Sequence, residues 1–381
     1  MELLPFTKAH NEFRERLQRF LAREVIPHVE QWEADHIVPR SAWKKMGEAG
    51  FLCPWAAPAY GGMGGDFLYS VIVAEEMLKT HHSGLITPLH SDIVVPYIES
   101  FGTEEQKNQY LPGCVSGDLI AAVAMTEPDA GSDLASMSTI AVEEGEEIVL
   151  NGSKTFISNG INCSFVIVAA KDPTVENPHQ AIGLYIVEDG TPGFKKGQKL
   201  EKLGLHSQDT AELFFSDCRI PAQNRLGEKG AGFLLLVQKL QQERLMCAIM
   251  AQSVAEWVLN WTVERCKSRT LANGKPLSKL QANQFALAEM ATEIRMSRRF
   301  LDSVIMNHMQ GEDTIVESSM SKYWTSDMVK RITGRAMDIV GEDAARENCP
   351  VVRLFRDVQV MSIFAGTNEI MKGIIAKQMG L

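Results

Sequence analysis

Paired cysteines, basic runs and long apolar stretches are all missing from this chain. Its seven cysteines, at 53, 114, 163, 218, 247, 266 and 349, are odd in number and never in Cys-x-x-Cys spacing. Neither a disulfide framework nor a zinc site is expected, and reduced thiols in a cytoplasmic protein are. Lysine and arginine number 38 against 48 aspartates and glutamates, a net charge of -10 with no basic stripe, which argues against nucleic acid as the partner. The opening Met1-Glu2-Leu3-Leu4-Pro5-Phe6-Thr7-Lys8 has no basic region followed by an apolar one, and no later stretch is long enough to span a bilayer. Neither secretion nor membrane insertion is expected. The glycine-rich run Tyr60-Gly61-Gly62-Met63-Gly64-Gly65 lacks the Lys-Ser/Thr of a phosphate-binding loop and follows no strand signal, so it reads as a helix connector. His81, His82, His90 and Asp92 fit no common zinc spacing, and no metal is expected there.

With 381 residues, 45% of them hydrophobic, the chain can bury a large core in two or three domains. Residues 1–118 read as helical: Leu17, Phe20, Leu21 and Val25 stand at helical spacing before Pro27, and a second apolar pattern runs from Val71 to Met77. Between 119 and 228 the texture changes to short apolar runs, Phe165–Ala170, Ala181–Val187 and Glu212–Phe215, without intervening helices. That pattern predicts a small antiparallel barrel or sandwich. Residues 229–381 are helical again, giving an α+β chain of three domains.

Two stretches in the middle domain carry chemistry. Leu119–Met125 suits a buried strand that ends at Thr126 and opens into Thr126-Glu127-Pro128-Asp129-Ala130-Gly131-Ser132-Asp133. Such a loop can hold an anionic or polar cofactor through Thr126, Ser132 and nearby amides, or be an ordinary acidic strand exit. In Glu146–Asn159 the Asn151-Gly152 pair between two extended runs predicts a β-hairpin, with Phe156 and Ser158 on one face of its second strand.

On the helix beginning near Gly230, Phe233, Leu236, Leu240, Cys247, Met250, Val254, Trp257 and Trp261 mark one face, with a gap that Glu243 fills. A carboxylate on such a stripe is costly unless it is ion-paired, lies in a ligand cavity or is raised in pKa. A structural ion pair and a catalytic carboxyl both stay open at this point.

Met125–Asp133, then Asn151-Gly152-Ser153-Lys154-Thr155-Phe156-Ile157-Ser158-Asn159-Gly160, then Gly366-Thr367-Asn368-Glu369-Ile370 follow one another in the order and spacing of the acyl-CoA dehydrogenase family, which the whole chain resembles. The resemblance implies a β domain between two helical ones, the last a four-helix bundle, with FAD at their junction. It implies α,β-dehydrogenation of an acyl-CoA, with electron-transferring flavoprotein as acceptor and a homotetramer as assembly. An oxidase, or a member that has lost catalysis and serves as a binding partner, are the alternatives.

Most of the family carry the catalytic base as a glutamate just before the C-terminal Gly-Thr, and here that position is Ala365. A minority, including the long-chain and isovaleryl types, carry it on the helix immediately before an arginine, and this chain has Glu243-Arg244 there. Resemblance therefore makes Glu243 the base and Arg244 a supporting charge. It implies substrate contacts at Ser132, Gln241, Gln242, Arg244, Ala365 and Gly366. Flavin contacts are implied at Met125, Thr126, Ser132, Phe156, Ile157, Ser158, Thr367, Asn368 and Glu369. Arg269, Gln281, Asp338, Gly341 and Glu342 match the family's remaining FAD contacts, with one residue inserted between Arg269 and Gln281 and two acids where an amide and a glycine are common. The acyl tail is expected to reach the segment at His90, Ser91 and Asp92, where Asp92 reads as a solvated helix residue, with recognition of a polar or cyclic acyl group as the alternative.

Overall fold

The computed structural model describes residues 3–82 and 84–381. Helix α1, Lys8–Glu24, starts at a capping box in which the Thr7 hydroxyl accepts from the His10 N–H and the His10 ring accepts from the Thr7 N–H. Its Phe13, Leu17, Phe20 and Leu21 are buried together, as their spacing requires. Helices α2 (Val29–Asp35), α3 (Arg40–Glu48) and α4 (Phe67–Lys79) follow. A single π-helical turn at Leu89–Val94 then leads into α5, Val95–Phe101, and α6, Glu104–Ser116. The π turn is fixed by His90, whose Nε2–H donates to the Cys114 carbonyl at 3.0 Å while Nδ1 accepts from the Ala121 N–H at 3.1 Å. That imidazole is neutral, held well below its usual pKa by burial, at about 4.

The middle of the chain forms one eight-stranded sheet: β1 Ala121–Ala124, β2 Ile140–Glu144, β3 Glu147–Ser158, β4 Phe165–Lys171, β5 Ile182–Glu188, β6 Phe194–Lys199, β7 Thr210–Pro221 and β8 Arg225–Leu226. The spatial order is β6-β7-β3-β2-β4-β5-β8, and a short helix α7, Pro178–Ala181, precedes β5. Pairing is antiparallel except that β1 lies parallel to β4 and β2 touches β4 through one parallel bridge.

The Asn151-Gly152 expectation fails. The hairpin turn sits at Gly145-Glu146, where Glu144 pairs with Glu147, and β3 runs on through Asn151-Gly152 to Ser158. The pair makes a bulge against β7, where the register shifts. Asn151 Oδ1 accepts the Asp217 N–H at 2.8 Å, and a Cβ on Gly152 would stand 2.4 Å from Thr139 Oγ1.

The C-terminal region is organised on α8, Gly232–Ser268, whose 37 residues span about 55 Å. Helices α9 (Gln281–Met309), α10 (Ile315–Val340), α11 (Pro350–Asp357) and α12 (Asn368–Gln378) pack around it. From Glu243 to Ala255 every residue of α8 is buried. The one-sided apolar face expected from the sequence is thus the core of a helix covered all round, by α4 and α5 on one side and α9 and α10 on the other.

A buried ion pair fixes the loop after β1. Lys154 Nζ on β3 donates to Glu127 Oε1 at 2.8 Å and to the Met125 carbonyl at 3.0 Å. Glu127 also accepts from the Ser138 N–H and hydroxyl and from the Thr139 N–H. Burial pushes the Glu127 carboxyl up, but Lys154 and these donors outweigh it and hold it at about 2. Burial likewise draws Lys154 down to about 8 against the pull of Glu127, and both groups stay ionised at neutral pH. Lys154→Ala leaves a buried carboxylate facing no cation, so the variant should lose about 3–5 kcal/mol of stability in denaturant unfolding. Lys154→Met with Glu127→Gln should recover part of it, and a loss below about 1 kcal/mol in the single variant would mean the pair does not fix the loop.

Candidate active site

Glu243 sits in the fully covered part of α8, 8% exposed, and its Oε2 has no hydrogen-bond partner. Burial raises its carboxyl to about 7, against the opposing charges of Arg244 and Lys322. Arg244 is buried beside it, its Nε also without a partner. Lys322 reaches in from α10, where Ser318, Thr325, Val329 and Ile332 continue the same buried face. Its Nζ donates to the Gly366 carbonyl at 2.6 Å and to Asn368 Oδ1 at 3.1 Å. Asn368 in turn bonds Ser326 at 3.0 Å and Asp327 at 2.9 Å, so the turn before α12 is hooked onto α10.

That turn is strained. Ala365 has φ of 55° and Gly366 of 86°, and a left-handed non-glycine costs about 1 kcal/mol or more. Ala365 makes no hydrogen bond to any described residue, which leaves its N–H free for a ligand. Thr367 caps α12 by accepting the Ile370 N–H at 3.3 Å. Glu369 lies in the first helical turn and is held below its usual range by bonds from its own N–H and from Thr367.

The loop after β1 is clamped to β3 by the Thr155 N–H, which donates to the Thr126 carbonyl at 2.9 Å, and by the bond from Lys154 to Met125. On the same strand Phe156 is 67% exposed with φ of 58°, Ile157 is buried between its neighbours, and Ser158 pairs with Thr210. An exposed aromatic on a left-handed backbone, beside a clamped polar loop, suits a flat cofactor ring. Ser132 is exposed further along the loop.

A second group lies at the far end of α8. Arg269 donates to the Val340 carbonyl at 2.6 Å and pairs with Glu342 at 2.8 Å and Asp343 at 3.4 Å. Gln281, Asp338 and Gly341 are exposed nearby in sequence. No hydrogen bond or ion pair among the described residues joins this group to the 125–158 set. Of the two adjacent glutamines, Gln242 donates to the Asp92 carbonyl of the π turn at 2.7 Å. Gln241 donates instead to Thr314, just ahead of α10, at 2.5 Å, and so is committed to a helix connection.

The N-terminal, middle and C-terminal domains of acyl-CoA dehydrogenase match residues 7–118, 122–218 and 230–380. The chain belongs to the acyl-CoA dehydrogenase family. It is 41% identical to the mitochondrial long-chain specific acyl-CoA dehydrogenase of Sus scrofa over 98% of this chain and 87% of that protein. A crystal structure of acyl-CoA dehydrogenase from Geobacillus kaustophilus superposes with a TM-score of 0.97 at 52% identity, covering 99% of both chains. The FAD complex of PigA superposes with a TM-score of 0.92 at 27% identity over 99% of both. The protein is an FAD-dependent oxidoreductase that dehydrogenates an acyl-CoA.

Within this acyl-CoA dehydrogenase several residues escape sequence reading. Asp92 is buried, 2% exposed, and no solvated helix residue, because the whole segment from His90 to Ile98 is covered. Lys322 was legible only as a lysine on the otherwise small and apolar face of α10, and Tyr97, whose buried hydroxyl feels the charge of Glu243, carried no signal at all. The raised Glu243 carboxyl has a consequence for stability. Below the unfolded value near 4.5 both states are protonated and its contribution is fully present. It is lost as pH rises toward about 7, where only the folded state still holds the proton. The flavin-loaded Glu243→Gln variant should therefore gain about 3 kcal/mol on the wild type between pH 4.5 and pH 8. Equal unfolding midpoints across that range would place the carboxylate in solvent.

Proposed function

We propose that Glu243 is the general base of this dehydrogenase and that the vacated position at Ala365 keeps its role through the backbone. The observation that carries the reading is the buried Glu243 carboxyl with a free oxygen, poised near neutrality within electrostatic reach of Lys322, which holds the Ala365-Gly366 turn. The thioester oxygen accepts from the free Ala365 N–H, which makes the α C–H more acidic. Glu243 Oε2 takes the α-proton, and the electron pair released becomes the α,β double bond as a hydride leaves the β-carbon. Arg244 and Lys322 keep the ionised form of Glu243 accessible in a site that burial would otherwise neutralise.

Met125, Thr126, Phe156, Ile157 and Ser158 fit the flavin ring end of FAD, and Thr367, Asn368 and Glu369 line the turn beside it. Ser132 and Gly366 border the CoA thioester. FAD, when bound there, would supply the hydride acceptor, and we propose electron-transferring flavoprotein as the external electron acceptor. The fit at the other end is altered, because Arg269 already pairs with Glu342 and a pyrophosphate must displace that exposed acid.

The proposed assembly is a homotetramer. Phe285, Met296 and Phe300 are exposed on α9 and fall within about 60° on its helical wheel, an apolar stripe that a neighbour would cover. Among the described residues no helix is long and apolar enough to cross a membrane, and seven buried, free cysteines suit the cytoplasm.

The decisive experiment is anaerobic titration of the yellow protein with straight, branched, cyclic and aromatic acyl-CoA thioesters. Flavin absorbance should bleach with at least one, at a rate that rises with pH through about 7 as Glu243 ionises. Glu243→Gln should keep the flavin and lose bleaching by a factor of about 10³ or more, and persistence of bleaching in that variant would remove Glu243 from the role. Mass photometry should give four chains per particle, with Phe285→Lys plus Met296→Lys dissociating it.

A further inference from the structure

Lys322, Ser326 and Lys330 stand one helical turn apart on α10 and so line one face of it. All three meet a single stretch of chain. Lys330 Nζ donates to Ser362 Oγ at 3.0 Å, and Ser326 Oγ accepts from Asn368 Nδ2 at 3.0 Å. Lys322 Nζ donates to the Gly366 carbonyl at 2.6 Å and to Asn368 Oδ1 at 3.1 Å. Residues 362–368 are thus strapped to α10 on both sides of Ala365, which has no hydrogen bond of its own to a described residue.

The strap opposes a conformational preference. At φ of 55° Ala365 is strained, because its Cβ crowds the following carbonyl, whereas a glycine adopts such torsions freely. Freed of its anchors, residue 365 would return to right-handed or extended torsions and turn its N–H elsewhere. Lys322 is the anchor nearest to it, bonded to the carbonyl of the very next residue, and it is fully buried where Lys330 is only partly so.

Among the described residues the chain buries two lysines, Lys154 and Lys322, and treats them differently. Lys154 pairs with the Glu127 carboxylate at 2.8 Å. Lys322 has no salt bridge to a described residue, and its bonds go to a neutral carbonyl and a neutral amide. A buried cation without a counter-ion lowers stability, so stability does not account for a lysine at this point, whereas the turn it holds does.

We propose that Lys322 is a positioning residue of the dehydrogenation: by pinning the Gly366 carbonyl it keeps Ala365 left-handed, with its N–H aimed at the thioester oxygen. This deepens the role proposed for Ala365 and rests on it. The action runs through the turn rather than through Glu243, to which Lys322 makes neither a hydrogen bond nor an ion pair. The groups facing Glu243 are Arg244 and Cys247 of α8, Tyr97 of α5 and Lys322 itself, and Arg244 is the stronger of the two cations acting on it.

The test is the rate constant of flavin bleaching in the FAD-loaded protein, measured for Lys322→Met, Ala365→Gly and the double variant. Lys322→Met should lower it about 100-fold, the scale of a misplaced donor. The Kd of an S-alkyl-CoA thioether, which has no carbonyl to bond, should stay within about threefold of wild type. Glycine takes the left-handed torsions without strain, so in the Ala365→Gly background the same loss should shrink to about tenfold. The acid limb of the rate profile should stay within about half a pH unit of wild type, because Arg244 remains beside Glu243. An equal loss in both backgrounds would overturn the proposal. So would a loss that disappears at high pH because the limb has moved up, which would make Lys322 an electrostatic partner of Glu243 instead. Should Lys322→Met fail to fold, Lys330→Met frees the Ser362 end of the strap and should cost about threefold, again suppressed by Ala365→Gly; no loss there overturns the proposal too. A wild-type rate in Glu243→Gln removes the base and leaves Lys322 its role, whereas a wild-type rate in Lys322→Met removes Lys322 alone.

Discussion

A carboxyl group without a partner, in the part of α8 that is covered on every side, is the constraint on which the rest of the structure turns. The same chain buries another glutamate and treats it oppositely. Glu127, given a lysine and three further donors, is held at about 2, while Glu243, given distant charges and no hydrogen bond on Oε2, is raised to about 7. A carboxylate held as low as Glu127 is useless as a base toward a weakly acidic carbon, and one near neutrality is matched to it. The fold therefore keeps the two acids in different surroundings, saturating one so that it locks a loop and leaving the other, the proposed base, without a partner on Oε2.

The second dependence runs through Lys322. It neither bonds nor neutralises Glu243 directly, but it is tied to the Gly366 carbonyl and to Asn368 and so couples the position of α10 to the strained turn at Ala365. A left-handed alanine with a free N–H persists only where its surroundings over-determine it, and Asn368 on Ser326 and Asp327 provides that restraint. The role proposed for position 365 belongs to its backbone N–H, which an alanine supplies as well as an acid would.

Much of this was legible because packing rules act locally. The gap at Glu243 in an apolar stripe follows from helical period alone, and so does the burial of Leu17, Phe20 and Leu21. Asn151-Gly152 departs from the expected turn because pairing with β7 keeps Asn151 out of the left-handed region and Gly152 extended at φ 151°, and that partner strand is invisible locally. Asp92 departs from its expected exposure for a related reason: every residue from His90 through the π turn to Ile98 is covered, so no face of this segment meets water, and only tertiary packing decides that. Lys154 and Glu127 lie 27 positions apart, and no sequence pattern links a strand lysine to a loop acid until the sheet has formed.

The distribution of charge at the far end of α8 bears on how the cofactor and the assembly depend on each other. Within one chain Arg269 is already satisfied by Val340, Glu342 and Asp343, and among the described residues no hydrogen bond or ion pair joins that group to the loop around Thr126. The proposed FAD site draws on both groups, and the proposed tetramer would let them come from neighbouring chains. The exposed stripe on α9, which begins at Gln281 directly beyond the Arg269 loop, is placed to bring that neighbour in. On the proposed FAD site Glu342, mostly exposed, would give way to the diphosphate at small cost.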